Sequence, residues 1–310
     1  MKRILLFLFF LACAMKGYSQ IPTDGLMMPE KTLCTGFMYT HDQWTNYYEG
    51  TLRRENGNIG TVTTSSLMWY GVYGLNPRIN LMASLPYVKT EASMGTLDGM
   101  VGIQDLMLAA KYQAIEAKAG PATLRLFGVL QFSTPLSDYT PDFLPMSIGL
   151  ASTTGTARVN INYSMDEKGP YINTTAGYTM RSNVTIDRSA YYADGILYST
   201  NEVDMPNVFD YRIDLGYHKG PLQLALSWVQ MITLGGGDIR RQDMPFVSYR
   251  MNSSNMGAMV MYYLPWPKDF GVRAQVMQTV AGRNVGQSTS YLGGLLYTIH
   301  FKKKSEETAK

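Results

Sequence analysis

The sequence predicts an all-β chain closed as a transmembrane antiparallel β-barrel of about 12 strands, with short periplasmic turns and long outer loops. Three observations carry that expectation. Segments of about ten residues alternate apolar and polar side chains, the period of a strand. Short turns and longer loops take turns along the chain, the asymmetry of barrels that cross a bilayer. The composition is 16% charged and 12% aromatic, with 22 Tyr and 29 Gly, whereas ordinary soluble domains carry roughly 25% charge.

Residues 209–228, FDYRIDLGYHKGPLQLALSW, show the alternation most plainly. Phe209, Tyr211, Ile213, Leu215 and Tyr217 interleave with Asp210, Arg212 and Asp214. After Lys219-Gly220-Pro221, Leu222, Leu224, Leu226 and Trp228 interleave with Gln223, Ala225 and Ser227. A secreted soluble sandwich would put the polar face in bulk water. In a bilayer core, every backbone polar group must pair within the protein, which leaves helices or closed barrels. A barrel turns Phe209, Tyr211, Ile213, Leu215 and Leu222 to lipid and shelters Asp210, Arg212 and Asp214 in a lumen.

The other elements follow in order. A first strand is expected over about 33–41, then a loop through Asn56-Gly57, and a second strand over 61–73. Leu75 to Arg78 turns into a third, 79–89, where Ile79, Leu81, Ala83, Leu85 and Tyr87 share a face. The fourth, 102–115, carries Leu106, Leu108, Ala110 and Tyr112 together; the fifth alternates Leu124, Leu126, Leu130 and Phe132 with Arg125 and Gln131. A proline-bearing loop precedes the sixth, where Ala157, Val159, Ile161 and Tyr163 alternate with Arg158, Asn160 and Asn162. The seventh spans about 171–182 and the 209–228 hairpin supplies two more. The tenth, 255–264, alternates least clearly, because Met259 to Tyr263 is one apolar run. The eleventh spans 270–281, and the twelfth ends at Phe301. Such lengths suit tilted strands that span a bilayer.

The N-terminus reads as a secretory leader, residues 1–19: Lys2 and Arg3, an apolar run from Ile4 to Ala12, and small residues before Gln20. Phe10-Leu11-Ala12-Cys13 offers a second reading, lipoprotein processing at Cys13. Cleavage after Ser19 would leave Cys34 alone, with no intramolecular disulfide. The expected organisation is a short periplasmic segment over 20–32, the barrel over 33–301 and a polar tail over 302–310. Localisation would be the outer membrane of a Gram-negative bacterium, with the lipid bilayer as partner. A net charge of +3, without basic runs interleaved with aromatics, argues against nucleic acid.

The last strand, with Gly294, Tyr297, Ile299 and Phe301, resembles the C-terminal signal read by the barrel-assembly machinery, departing from it at Leu292. Five further stretches carry a family resemblance: Gly102-Ile103-Gln104-Asp105-Leu106 with Lys111-Tyr112, Ser84-Leu85-Pro86-Tyr87-Val88, Tyr73-Gly74-Leu75, Arg78-Ile79-Asn80 and Gly282-Arg283-Asn284-Val285-Gly286. With these the chain resembles outer-membrane proteins of the "MetA-pathway of phenol degradation" type, within the FadL-like group of transporters. The resemblance implies uptake of small, hydrophobic or aromatic solutes; transport is expected to be passive, since nothing in the sequence reads as a nucleotide site, and no cofactor is expected. It departs from the FadL-like transporters in having only Gln20 to Lys31 before the first strand, where they carry a longer hatch.

Parity places Asp105, Lys111, Arg125, Arg158, Arg181, Asp210, Arg212, Asp214 and Arg273 on the inward face as lumen-lining candidates. They form either a charged constriction that selects solutes or a paired network filling a narrow lumen. Barrels of eight strands are filled by side chains and those of sixteen leave a channel, so twelve lies between. The loops at 135–154 and 183–206, with Tyr139, Phe143, Leu144, Met146, Tyr191 and Tyr192, are expected to fold over or into the mouth as an apolar capture site or to protect the rim. Gly235-Gly236-Gly237-Asp238 reads as a flexible turn. A structural or adhesion barrel with a plugged lumen is the alternative to a channel. A lipid-acting enzyme is a remoter one, since the three histidines, His41, His218 and His300, have no evident serine partner, and no metal-ligand spacing occurs.

Overall fold

The structure, a computed structural model, describes residues 21–165, 168–193, 195–240 and 244–301. The expected leader and polar tail lie outside them. Every regular element among the described residues is a strand. Twelve long ones make the wall: β1 (Thr32–Trp44), β2 (Val62–Asn76), β3 (Ile79–Ala92), β4 (Asp105–Ala119), β5 (Ala122–Pro135), β6 (Thr154–Ser164), β7 (Lys168–Arg181), β8 (Val208–Lys219), β9 (Leu222–Thr233), β10 (Asn252–Tyr263), β11 (Phe270–Arg283) and β12 (Thr289–His300).

Each strand pairs antiparallel with the next in sequence, and β1 pairs with both β2 and β12. The seam is complete, from Thr32 opposite His300 to Gln43 opposite Thr289. No wall strand therefore has a free edge, which removes the unpaired backbone groups that a bilayer would punish. This is a closed antiparallel barrel of 12 strands, the expected class and count.

Side-chain parity sorts the two faces. Outward positions are apolar and exposed, among them Phe37, Leu81, Leu130, Ile161, Leu215 and Leu226. Aromatics sit toward both strand ends. Tyr112, Tyr163, Tyr217, Tyr262 and Tyr297 lie toward the short turns, and Tyr39, Tyr87, Phe132, Tyr178 and Tyr291 toward the long loops, all exposed. Amphipathic rings favour the two boundaries of a hydrocarbon layer, and paired girdles are their signature on a barrel.

Several expectations are adjusted. The fourth strand is interrupted at Gln104, with Val101–Ile103 a short separate strand on β3, and β4 carries a bulge between Gln113 and Ile115. The loop through Asn56-Gly57 holds a small hairpin of its own, Asn46–Glu49 against Leu52–Glu55. The blurred alternation of β10 has a physical cause. Val260 and Tyr262 point outward and are exposed, while Met261 and Tyr263 point inward and are buried. The lumen wall here is itself apolar, so both faces of the strand read as greasy.

The main difference concerns residues 21–31. The segment expected in the periplasm turns into the barrel. Met28 is buried in one apolar cluster with Cys34, Met38, Tyr70, Val72 and Met82 of the lumen wall. At the entry, Lys31 N donates to Gly74 O at 2.8 Å. A Cβ at Gly74 would sit 2.0 Å from the Pro29 carbonyl oxygen. Only glycine allows that close approach of wall and segment.

Candidate functional site

The lumen is built around that segment. Lys111, fully buried on β4, donates its ammonium to Asp24 O at 2.6 Å, Asp24 Oδ1 at 2.7 Å and Leu26 O at 2.8 Å. Asn160 Nδ2 on β6 reaches Pro22 O at 2.8 Å and Asp24 O at 3.1 Å. On β7, Asn173 Nδ2 and Thr175 Oγ1 donate to Thr23 O at 2.8 and 3.2 Å. The wall supplies donors and the segment supplies acceptors, chiefly backbone carbonyls that would otherwise be orphaned in the interior.

The nine sequence candidates divide into three groups. Arg125, Arg158, Asp210, Arg212 and Asp214 enter the paired network. Arg158 forks onto Asp210, with Nη2 to Oδ1 at 3.0 Å, a bidentate pairing that fixes both side chains. Gly177 leaves the room: a Cβ there would lie 2.8 Å from the Arg158 guanidinium carbon. Arg212 Nε donates to Asp214 Oδ1 at 2.8 Å and its Nη2 to Ser227 Oγ at 2.8 Å. Asp214 also accepts from Ser227 Oγ at 2.6 Å and Asn173 Nδ2 at 3.3 Å. Arg125 pairs with Glu116 across the β4–β5 ladder at 3.1 Å.

Lys111 and Arg273 form the second group, the cations turned to the segment and the space beside it. Arg273 is 6% exposed and donates Nη2 to Gln275 Oε1 at 2.9 Å. Its Nε has no hydrogen-bond partner and no carboxylate pairs with it among the described residues. Asp105 and Arg181 are the third group, and here parity misleads about the role. Both sit where their strands meet the loops. Asp105 accepts from Tyr139 Oη at 2.7 Å, and Arg181 Nη1 donates to Pro206 O at 3.4 Å. They tie loops to the rim and take no part in the network at mid-depth.

Beside the segment remains a cavity of about 30 Å³, lined by Asp24, Arg212, Asp214, Met259, Met261 and Arg273 among others. One water needs roughly 10–15 Å³ on that measure, so the cavity has room for a couple of waters.

At the other end the loops make a core of their own. Val184, Ile186, Tyr191, Val203, Phe246 and Tyr249 are buried together, with Leu144, Leu150 and Met251 against them. Of the residues expected to form a capture site, Leu144 and Tyr191 join this cluster, and Met146 is buried with its carbonyl accepting from Thr90 Oγ1 at 2.6 Å. Tyr192 is exposed. The triple-glycine stretch is a packed turn: a Cβ at Gly236 would lie 2.2 Å from Ser248 O. Next to it Asp238 accepts from Arg283 Nε at 2.7 Å and Asn284 Nδ2 at 2.8 Å. Those bonds, Arg283 first, hold the Asp238 carboxyl down to about 2.

Ser65 Oγ lies 3.3 Å from His41 Nδ1, a neighbouring-strand pair the sequence did not single out. Ser65 also receives the Tyr39 hydroxyl, and no side chain is hydrogen-bonded to the other ring nitrogen among the described residues. A nucleophile–base–orienter relay is not assembled there. His300 contacts Thr32 and Asp269 at the short-turn end, at 3.4 and 3.3 Å. No group of three or more metal-ligating side chains is gathered among the described residues.

Sequence reasoning missed Asp24 and the two wall amides and one hydroxyl, Asn160, Asn173 and Thr175, that hold the segment. A signal existed. Asn160, Asn162 and Asn173 stand at inward parity on adjoining strands, and amides in a barrel interior need partners.

The sequence matches no protein-family model and no curated protein. Among solved structures, the chain is similar to the COG4313 outer membrane channel from Pseudomonas putida F1. Identity is 15%, the match covers 91% of this chain and 100% of that one, and the TM-score is 0.72. The chain shares that barrel's fold. It is also similar to the NanC porin (8% identity, 84% of this chain and 98% of that one, TM-score 0.48) and the KdgM porin (9%, 86% and 99%, TM-score 0.41). Those two are too loosely alike to bear on anything further.

Proposed function

We propose that the protein is an outer-membrane diffusion channel for small hydrophobic or aromatic solutes, kept shut by its own N-terminal segment. One observation carries the reading: residues 21–31 of the chain occupy the lumen of the closed barrel, which is not packed by wall side chains alone. Lys111, Asn160, Asn173 and Thr175 bond to that peptide. If it leaves, a path opens along the barrel axis. The exposed apolar exterior with its two aromatic girdles suits a bilayer, and a shared fold with an outer-membrane channel agrees with that placement. The short turns would face the periplasm, and the Gly294-to-Phe301 strand would serve the assembly machinery. Transport would run down a gradient, and the resemblance to the phenol-degradation type suggests the solute class.

A specific observation favours a second reading, a permanently plugged structural barrel: the cavity beside the segment measures about 30 Å³. Uptake into liposomes separates the two. Purified protein should admit a small neutral aromatic such as phenylethanol faster than empty liposomes do, allowing for its leak through lipid. No added flux, with or without the segment, would leave the plugged barrel standing.

A further inference from the structure

The segment reads as a stand-in for a ligand. Each of the polar contacts described between the wall and Pro22–Leu26 has the wall as donor. The acceptors are the carbonyls of Pro22, Thr23, Asp24 and Leu26 and the Asp24 carboxylate. A competitor for this place must therefore be rich in acceptors and negatively charged. Across the lumen stand Met38, Met82, Met259 and Met261, a soft, polarizable wall that moulds to apolar bodies of varied shape.

Arg273 adds an independent observation. It is a buried guanidinium, it borders the cavity, and its Nε is unpartnered. A buried cation without a carboxylate is costly unless something supplies the opposite charge. Asp24 and Asp214 border the same cavity and act on Arg273 through space, but neither bonds to it, because Asp214 is engaged by Arg212, Ser227 and Asn173, and Asp24 by Lys111.

We propose that the lumen binds an amphipathic organic carboxylate in the place held by Pro22–Leu26, with the carboxylate on Arg273 and Lys111 and the hydrocarbon body on the methionines. This rests on the channel reading above and narrows its solute class. Ligand and segment then exclude each other, so entry of the solute is also what frees the lumen. The cavity present with the segment docked admits water and not such a molecule, which makes displacement obligatory.

The test uses the purified barrel in a neutral detergent, with empty micelles as blank and two probes, 4-phenylbutyrate and 4-phenylbutan-1-ol, followed by calorimetry. The carboxylate should bind at least tenfold more tightly than the alcohol. R273Q should erase most of that preference and R273K should keep part of it, with heat-modifiable gel migration showing that each barrel is folded. Deleting residues 21–27 should tighten carboxylate binding severalfold by removing the competitor. If that deletion fails to fold, D24N, which weakens the Lys111 contact, should move affinity the same way. Equal binding of the two probes, or a folded R273Q barrel with unchanged preference, overturns the proposal. Liposome flux of the alcohol keeps the two readings apart. Flux without carboxylate preference leaves the channel and removes this site; carboxylate preference without flux keeps the site and removes the channel.

Discussion

The two sides of the lumen hold the N-terminal segment by different physics. On β4, β6 and β7 it is held by directional bonds from Lys111, Asn160, Asn173 and Thr175, each to a named carbonyl or carboxylate. On β1–β3, β10 and β12 it lies on Met38, Tyr70, Val72, Met82, Met261 and Leu296, with Met28 inserted among them. Apolar contact is non-directional and scales with area, so that side tolerates sliding. Buried polar contacts do not, because a donor left without its acceptor costs a desolvation penalty. The polar side should therefore set where the segment sits, and the methionine side should mainly set how much docking is worth.

The largest effect is expected at Lys111. K111M takes from the mostly buried Asp24 carboxylate the cation bonded to it, and breaking one member of a buried pair costs about 3–5 kcal/mol. Hydrogen exchange of residues 21–31 should rise strongly while the wall strands stay protected. The double variant K111M/D24L should recover much of the protection, since replacing both partners is far cheaper than removing one. G74A comes next. Its Cβ would meet the Pro29 carbonyl oxygen at 2.0 Å, and overpacking of this kind costs about 1–3 kcal/mol. Exchange should increase at the entry of the segment, around Met28 to Lys31. On the apolar side M261L keeps the volume and should cost less than about 1.5 kcal/mol, leaving segment exchange nearly unchanged. A large response to M261L would erase the contrast between the two sides.

The smallest effect belongs to the loop end, which serves as a control. The Asp238 carboxyl is lowered to about 2 from 3.8, first by the Arg283 hydrogen bond. A depressed carboxyl contributes its stability above the unfolded value and loses it as pH falls through the folded one. The latch between residues 234–251 and Arg283-Asn284 should therefore be unchanged from pH 8 to pH 5, and weaken only between about 4 and 2. Both side chains are partly exposed, so solvent screening keeps the contribution modest. Titration of loop amide shifts by NMR would show it, and a midpoint near pH 6 would contradict the assignment.

The wall was legible in the sequence because a bilayer-facing strand repeats one rule at every second residue. Phe209 to Tyr217 states it without exception, and the pairing of all twelve strands follows from it. β10 obscured the rule, since Met259, Met261 and Tyr263 face an apolar lumen that no local pattern announces. The charge pairs were half legible. Arg158 and Asp210 share inward parity, but parity gives no depth, so Asp105 and Arg181 looked equivalent to them while serving the loops. The segment was not legible at all. Residues 21–31 have no period, and their docking is written in the wall, in Asn160, Asn173 and the Gly74 approach, far away along the chain.

Single-channel conductance in planar bilayers, compared between the purified barrel and the same barrel lacking residues 21–27, tests the occluding role of the segment most directly. Rare, small openings are expected for the undeleted barrel and a steady conductance severalfold larger after the deletion. Equal conductance from both folded barrels would mean that the segment does not close the path.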